Sequence, residues 1–332
     1  MKVAVTGSSG LIGTALVASL RADGHDVIRL VRRPPRAAGE VRWDPRAADA
    51  GLLSPGAPGS SGTRASSGAR GSPGTRGSSG MPGLSALDGL GACVHLAGAG
   101  VADHRWTARY KAELRASRIL GTRALAGALA KLGQPPATLV VASAIGWYGD
   151  TGGREVDESA PAGPAFLSRL VQDWEAAASP AADTGIRVVH LRSGLVLTPR
   201  GGFLARLLPL ARFGLCPRFS SGRQVMSWIS LSDEIGAIRF LLDREDLSGA
   251  FNLTAPTPVT NAEFTAALST AVGGRDRSWL RVPAPVLRLA VGEAAVELLT
   301  SARVSSRRLQ EAGYQFHYPV LPGALAAELA SR

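Results

Sequence analysis

The fold is decided by the stretch KVAVTGSSGLIGTALVASLRADGHDVIRLV, residues 2–31. Residues 2–6 are apolar enough for a buried parallel strand, and residues 11–23 place apolar side chains at the spacing of a helix. Residues 26–31 form a second apolar run with the length of a strand. A strand, a helix and a second strand in this order predict that the chain opens with a βαβ unit.

The turn between the first strand and the helix has regularly spaced glycines. Gly7 permits a tight turn, Gly10 lets the backbone approach a pyrophosphate, and Gly13 lets the helix pack closely on the strand. The amino terminus of the helix adds N–H donors for an anion. This position in the chain favours a dinucleotide site over a glycine-rich turn without a ligand. The predicted site comprises Gly7, Ser9, Gly10, Leu11, Ile12 and Gly13.

The end of the second strand predicts which dinucleotide is preferred. Proteins that bind NAD carry Asp or Glu there, whereas this chain reads Val31-Arg32-Arg33-Pro34. An acidic side chain would repel a 2′-phosphate, and guanidinium groups offer forked donors that match one. Arg32 and Arg33 therefore favour NADP(H) as cofactor. The alternative is a pair of solvated arginines in an arginine-rich chain.

Strands and helices continue to alternate after the first unit. Further strands are predicted at 92–96, 137–143 and 186–192, and further helices at 104–131 and 165–179. The alternation predicts an α/β protein with a Rossmann-type, doubly wound parallel sheet. After Pro199 the alternation loosens into helices near 202–213, 232–243 and 261–272 and short strands near 225–229 and 250–253.

We expect three parts along the chain. The cofactor-binding domain covers 1–200, a smaller substrate-side subdomain covers 201–280, and a C-terminal helical cap covers 281–332. Residues 52–83 contain Gly, Ser, Pro, Ala, Thr and Arg in near-repeats, which predict a disordered insertion in a surface loop. Deleting this insertion is expected to leave the melting temperature nearly unchanged.

The composition makes three functions unexpected for this chain: binding nucleic acid, spanning a membrane and binding a metal ion. The formal charge is +11, but 34 of 37 basic residues are arginine, a skew that indicates coding bias, and no basic patch interleaved with aromatic residues is present. Charged residues interrupt the long apolar segments, so a cytoplasmic protein without a membrane span is expected. Cys93 and Cys216 stand alone, which predicts neither a disulfide framework nor a zinc site. The expected partner is a small-molecule substrate, and a homodimer stays open.

Four motifs carry a resemblance to a known superfamily. TGSSGLIG at 6–13, HLAGAG at 95–100, ASAIGWYGD at 142–150 and LRSGLVLTP at 191–199 resemble short-chain dehydrogenases/reductases of the extended, epimerase-like form. The segments RWTARYKAELRASRILGTRAL, SGRQVMSWISLSDEIGAI and EAGYQFHYP are similar to an atypical subgroup known as the "epimerase family", whose members have a C-terminal domain of unknown function. The resemblance extends over nearly the whole chain outside 52–83.

The resemblance implies further contacts around the cofactor and the substrate. The implied cofactor contacts are Leu96, Ala97, Gly98 and Ala142. The residues implied to lie around the substrate cleft or to order its loops are Arg105, Trp106, Arg223, Gln224 and Trp228. Asp233 belongs to the same region, and a helix N-cap role is its alternative.

The superfamily's usual proton-transfer pair is absent from the sequence. That pair is Tyr-x-x-x-Lys with a serine, in which the lysine lowers the pKa of the tyrosine. No tyrosine of this chain is followed four residues later by lysine. The candidate catalytic residues are therefore Ser143, one position before the usual serine, and Tyr148 as a substitute acid, with packing as the alternative role of Tyr148.

These observations leave two functions open. The first is an NADP(H)-dependent oxidoreductase or nucleotide-sugar-epimerase-like enzyme of unknown substrate. The alternative is a noncatalytic NADP-binding sensor or scaffold, which the loss of the Tyr-x-x-x-Lys pair permits.

Overall fold

The structure is a computed structural model that describes residues 1–45, 53–55, 87–273 and 280–330. The predicted insertion at 52–83 lies outside these ranges except for Leu53–Pro55, which forms a strand instead of disordered chain. Within the described part of the chain, no helix is both long enough and apolar enough to cross a membrane.

The described residues form sixteen strands and twelve helices. The strands are β1 (Lys2–Thr6), β2 (Asp26–Val31), β3 (Glu40–Trp43), β4 (Leu53–Pro55), β5 (Ala92–His95), β6 (Thr138–Ala144), β7 (Glu155–Val156), β8 (Arg187–Ser193), β9 (Leu195–Leu197), β10 (Arg218–Phe219), β11 (Val225–Met226), β12 (Trp228–Ser230), β13 (Gly249–Leu253), β14 (Val259–Thr260), β15 (Arg281–Val282) and β16 (Arg303–Val304). The helices are α1 (Leu11–Ala22), α2 (Ala108–Arg115), α3 (Gly121–Leu129), α4 (Phe166–Ala176), α5 (Ser179–Ala182), α6 (Gly202–Arg212), α7 (Leu231–Asp243), α8 (Asn261–Ala271), α9 (Ala284–Val291), α10 (Ala295–Leu299), α11 (Arg307–Glu311) and α12 (Leu321–Ala330).

An eight-stranded sheet lies at the centre in the order β13-β8-β6-β5-β1-β2-β3-β4. Seven strands run parallel, and β4 pairs antiparallel with β3 at one edge. After β1 the chain adds strands on one side, β2 and β3, whereas after β5 it adds strands on the other side, β6 and β8. The β1–β5 pair is therefore the topological switch point, where such sheets bind ligands. The predicted Rossmann-type fold is confirmed.

Side chains of the sheet alternate between two apolar layers. Val3 and Val5 of β1 pack into the layer of α1 and α7, while Ala4 faces the layer of α3 and α5. Since the strands are parallel and in register, the ends of β1, β5, β6 and β8 meet at one edge of the sheet. Residues that follow these strands therefore lie close together in space.

Elements of the predicted subdomain 201–280 contribute to two different apolar cores. β13 pairs in parallel with β8, and α7 packs on α1, so both belong to the sheet domain although they lie in the predicted subdomain 201–280. The remaining elements α6 and α8 share a third apolar core with α9, α10 and α12 of the predicted cap. The predicted helical stretch 282–300 is interrupted at Gly292, whose φ of +69° ends α9.

Candidate functional site

The predicted glycine turn follows β1 and begins α1. Gly7 has φ +64°, and a Cβ there would lie 2.6 Å from the Leu96 carbonyl carbon. A Cβ on Gly13 would lie 2.2 Å from the Gly7 oxygen. Since backbone atoms block both positions, only glycine fits them. The amide of Gly10 closes the turn by donating to the Gly7 oxygen at 2.8 Å.

The amino terminus of α1 is open to a ligand. Gly10 is its N-cap, and among the described residues no side chain caps the helix there. Ser9 is exposed, and Leu11 and Ile12 are partly exposed. Uncapped N–H groups and the positive end of the helix dipole suit an anion, and the missing Gly10 side chain leaves room for close approach. These residues fit the pyrophosphate of a dinucleotide.

The loop after β5 is fixed against β1 by a chain of hydrogen bonds. Thr6 Oγ1 accepts from the amides of Leu96 at 3.1 Å and Ala97 at 3.2 Å. The Thr6 hydroxyl therefore donates its own proton to His95 Nδ1, at 2.7 Å. Burial lowers the pKa of His95 to about 4, so this imidazole is neutral and structural. The loop places the predicted cofactor contacts Leu96, Ala97 and the exposed Gly98 beside the glycine turn.

A buried arginine that the sequence did not single out lies behind this loop. Arg118 belongs to the π-helical turn Ala116–Leu120 between α2 and α3, and it is only 8% exposed. Its guanidinium stacks over Trp174 at 5.0 Å, and Nη1 makes a weak 3.4 Å bond to the Leu114 oxygen. Burial lowers its pKa to about 10, and no carboxylate of the described residues pairs with it. A Cβ on Gly98 would lie 3.5 Å from its Cζ, so this cation is available beside the loop.

The two arginines after β2 have different surroundings. Arg33 forms a forked pair with Glu40, both bonds at 2.7 Å. Glu40 also accepts from the Arg36 amide at 2.8 Å and lies 3.2 Å from Arg29, and the Arg33 bond is the main cause that lowers its pKa to about 2. Arg32 is exposed and makes no hydrogen bond within the described ranges. Of the predicted pair, Arg32 is therefore the one whose charge is free for a phosphate.

A cavity of about 340 Å³ opens at the same edge of the sheet, where β6 and β8 end. Ala144 and Gly146 line it from the β6 side, and Ser193 and Gly194 line it from the β8 side. Its opposite wall comes from α6, β11 and the α10 region and includes Phe203, Met226, Glu297 and Leu298. The cavity thus lies between the sheet domain and the C-terminal elements, a usual place for a small ligand.

The predicted catalytic residues Ser143 and Tyr148 do not line this cavity. Ser143 is 6% exposed and donates to Glu175 at 2.6 Å. Tyr148 is 5% exposed, donates to Asn252 at 2.7 Å and accepts from Arg192 at 3.1 Å. Burial raises the pKa of Tyr148 to about 12. The structure supports the packing role of Tyr148, because its only proton is bound inside the protein.

Arg192 is the centre of this buried network. Its guanidinium binds both oxygens of Glu175 at 2.9 Å and lies 3.8 Å from the Trp147 ring centroid. The network joins β6, β8, α4 and the turn Ile145–Trp147 directly below the cavity. It holds the cavity floor in place rather than contacting a ligand. Ala142, the predicted cofactor contact on β6, is partly exposed at the same strand end.

The residues predicted around the substrate cleft mostly order its loops. Gln224 donates to the Phe219 and Leu298 oxygens, both at 3.1 Å, and Trp228 is fully buried and donates to the Thr257 oxygen at 3.0 Å. Trp106 is buried and bonded to the Val101 oxygen, Arg105 binds backbone oxygens of α9, and Arg223 is exposed. None of the five lines the cavity, although Val101, Val225 and Leu298 beside them do.

Asp233 is not the N-cap that the sequence suggested as an alternative. Ser230 caps α7 by accepting from the Asp233 amide at 3.0 Å. The fully buried Asp233 carboxylate instead accepts from the amides of His317 at 2.7 Å and Tyr318 at 3.0 Å. The Tyr314 hydroxyl donates to the Asp233 backbone oxygen at 2.9 Å. Asp233 therefore fastens the C-terminal tail onto the sheet domain.

Two charged residues of the site were missed from the sequence, namely Arg118 and Glu297. Each lies inside an otherwise apolar or amphipathic segment, as in ASRIL and AAVELL. A charge within an apolar run is the signal that was available, since burial of an unpaired charge is costly and marks a special environment.

The glycine turn at the switch point, the open helix terminus and the cavity at the same edge of the sheet define a dinucleotide-binding protein of the Rossmann class. The sequence matches the NAD dependent epimerase/dehydratase family over residues 3–57 and 81–254. The chain belongs to this family. Residues 282–328 match a domain of unknown function, DUF1731, which agrees with the resemblance inferred from the sequence.

Close relatives extend over the whole chain. An epimerase family protein of Mycobacterium bovis is 44% identical over 324 residues, which cover 97% of this chain and 96% of the relative. The human epimerase family protein SDR39U1 is 33% identical over 329 residues, 98% of both chains. The crystal structure of human SDR39U1 (isoform 2) with NADPH has a TM-score of 0.83 at 32% identity and covers all of both chains.

Proposed function

We propose that this protein is an NADP(H)-dependent oxidoreductase that acts on a small molecule held in the cavity. The observation that carries the proposal is the glycine turn with the open α1 terminus, which lies on the same sheet edge as the cavity. The structure of human SDR39U1 with NADPH supports the choice of cofactor. Bound NADPH would supply a hydride to the substrate.

Each part of the site has a distinct task in this proposal. The turn at Gly7 and Gly10 and the first N–H groups of α1 hold the pyrophosphate. Arg118 offers a desolvated positive charge beside Gly98, where it would neutralise phosphate oxygens or donate hydrogen bonds to ribose oxygens. Arg32 binds the 2′-phosphate, whereas the guanidinium group of Arg33 is already paired with the Glu40 carboxylate.

The proposal predicts different effects for neighbouring arginines. Arg32→Ala should weaken NADPH binding about tenfold to a hundredfold, because a charge-assisted hydrogen bond is lost, and should leave NADH binding unchanged. Titration of the purified protein with each nucleotide, followed by nucleotide fluorescence, measures both affinities.

The control for this titration is Arg36→Ala, which removes an exposed charge from the same loop. It should leave both affinities unchanged. Arg33→Ala should lower stability because the buried Glu40 loses its main partner. If neither nucleotide binds the wild-type protein, or if NADH binds as tightly as NADPH, the proposal fails.

A noncatalytic NADP(H)-binding protein is the second candidate. It is favoured by the burial of Ser143 and Tyr148 away from the cavity. Tight NADPH binding without hydride transfer to hexanal, cyclohexanone or benzaldehyde would support this candidate. Hydride transfer to any of the three would exclude it.

A further inference from the structure

The cavity lining contains no arginine, lysine or histidine among the described residues. Its walls are mostly apolar, with side chains such as Leu167, Leu195, Phe219 and Met226. A nucleoside diphosphate carries negative charges that need cationic partners when they leave water. The cavity therefore suits an uncharged, largely apolar molecule better than a sugar nucleotide.

The four hydroxyl groups of the lining already donate their protons within the protein. The bonds run from Ser168 to the Gly146 oxygen at 2.8 Å, from Ser193 to Glu234 at 2.6 Å, from Ser227 to the Ala302 oxygen at 2.8 Å and from Thr300 to the Val296 oxygen at 2.8 Å. A hydroxyl has only one proton to donate. None of these groups has a proton free for a ligand.

Glu297 is the one ionisable side chain in the described lining. Its carboxyl group makes no hydrogen bond within the described ranges, and burial raises its pKa to about 7. Charged side chains on or bonded to the elements packed against α10 include Arg288 on α9, Arg105 bonded to the Ala290 oxygen of α9, and Glu293 bonded to Lys111. Arg223 precedes Gln224, which donates to the Leu298 oxygen of α10. Burial alone accounts for the shift, so none of these charges offsets it.

We infer that the Glu297 carboxyl group is the proton donor and acceptor of the cavity and that the substrate is a small, uncharged, largely apolar carbonyl compound or its alcohol. This inference rests on the proposed function, because it names the substrate class and the acid of the same site. It also accounts for the absence of a Tyr-x-x-x-Lys pair, since a carboxylic acid takes over the role of the tyrosine.

In the reduction, the carbonyl carbon accepts the hydride supplied by NADPH and forms a new C–H bond. The π electrons of the C=O bond move to oxygen, and this oxygen takes the proton as the Glu297 O–H bond breaks. The products are the alcohol, NADP⁺ and the Glu297 carboxylate, which regains a proton from water. The reverse sequence oxidises the alcohol.

Glu234 is the rival source of a proton. It is buried, burial raises its pKa to about 7, and it reaches the cavity only through the Ser193 hydroxyl. Ser193 donates to Glu234 in the structure, which points the proton away from the cavity. The experiment therefore compares Glu297→Gln with Glu234→Gln, and uses the exposed Glu293→Gln as a matched control.

The first readout is binding without turnover. Hexanamide and benzamide, which present a carbonyl oxygen but are not reduced, are added to the NADPH complex, and nucleotide fluorescence and the melting temperature are followed. Both amides should bind, and binding should weaken as the pH rises through about 7, where Glu297 loses its proton. In Glu297→Gln the pH dependence should vanish, whereas Glu293→Gln should match the wild type. UDP-glucose should not bind.

The second readout is single-turnover reduction of hexanal, cyclohexanone and benzaldehyde. Glu297→Gln should slow the reaction about 100- to 10,000-fold at unchanged NADPH affinity. The wild-type rate should fall as the pH rises through about 7, because the acid form is lost. The inference is overturned if UDP-glucose binds and the amides do not, or if the pH dependence survives in Glu297→Gln and disappears in Glu234→Gln. Absence of NADPH binding rejects the proposed function, whereas NADPH binding with no response to the amides rejects this inference alone.

Discussion

At the scale of single residues, polar side chains at the sheet edge divide into buried supports and groups open to a ligand. Tyr148 and Arg192 are supports, because each bonds to protein atoms below the cavity. Arg32 and Glu297 make no hydrogen bonds within the described ranges; Arg32 is exposed, and Glu297 lines the cavity. Sequence alone could not separate the two kinds, because the difference depends on partners that lie far away in the chain.

This division predicts a structural phenotype for Tyr148→Phe. The substitution leaves Asn252 Oδ1 and an Arg192 donor without their buried partner, so the free energy of unfolding should fall by about 1–3 kcal/mol. Urea denaturation measures this loss, and NADPH affinity and the single-turnover rate should stay at wild-type values. A 100-fold slower reaction with unchanged stability would instead make Tyr148 the acid.

At the scale of elements, local patterns predicted most of the sheet and its helices. The glycine turn was predictable because strand, turn and helix are contiguous and each glycine has a steric reason. The antiparallel strand β4 and the π-helical turn at Arg118 were not, because long-range pairing and packing decide them. The cavity was missed for the same reason, since Glu297 comes from the far end of the chain.

Two glycines in helices allow a matched test of the turn. Gly13→Ala should abolish NADPH binding or folding, because its Cβ would meet the Gly7 oxygen at 2.2 Å. A Cβ at Gly127 in α3 would have no neighbour within 4 Å among the described residues. Gly127→Ala should therefore raise the free energy of unfolding by about 0.5–1 kcal/mol. Thermal unfolding with and without NADPH checks both variants. Equal effects of the two substitutions would contradict the steric argument.

At the scale of the whole molecule, the two ends of the chain build one site. The C-terminal tail is fastened to α7 by Asp233, and Glu328 of α12 accepts from the Leu231 amide at 3.0 Å. Because α7 packs on α1, these two bonds join the C-terminal elements to the central sheet and its helices. Family similarity over 3–57 and 81–254 omits residues 58–80, which lie within the low-complexity stretch 52–83.

Replacing residues 58–80 by a short Gly-Ser linker tests the independence of this segment. The melting temperature should stay unchanged or rise by about 2–4 °C, because each halving of a flexible loop lowers its closure cost by only about 0.6 kcal/mol. NADPH affinity should not change. Calorimetry and nucleotide titration of the shortened protein measure both, and a large loss of stability would show that the segment packs against the fold.

The edge position of β4 has a practical consequence for protein engineering. β4 ends at Pro55 on the outermost strand of the sheet, whereas the cavity lies where β6 and β8 end, several strands away. A fluorescent reporter or an affinity tag inserted between residues 58 and 80 would thus be anchored at a distance from the ligand. Such a fusion would give an internally tagged protein for imaging or immobilisation.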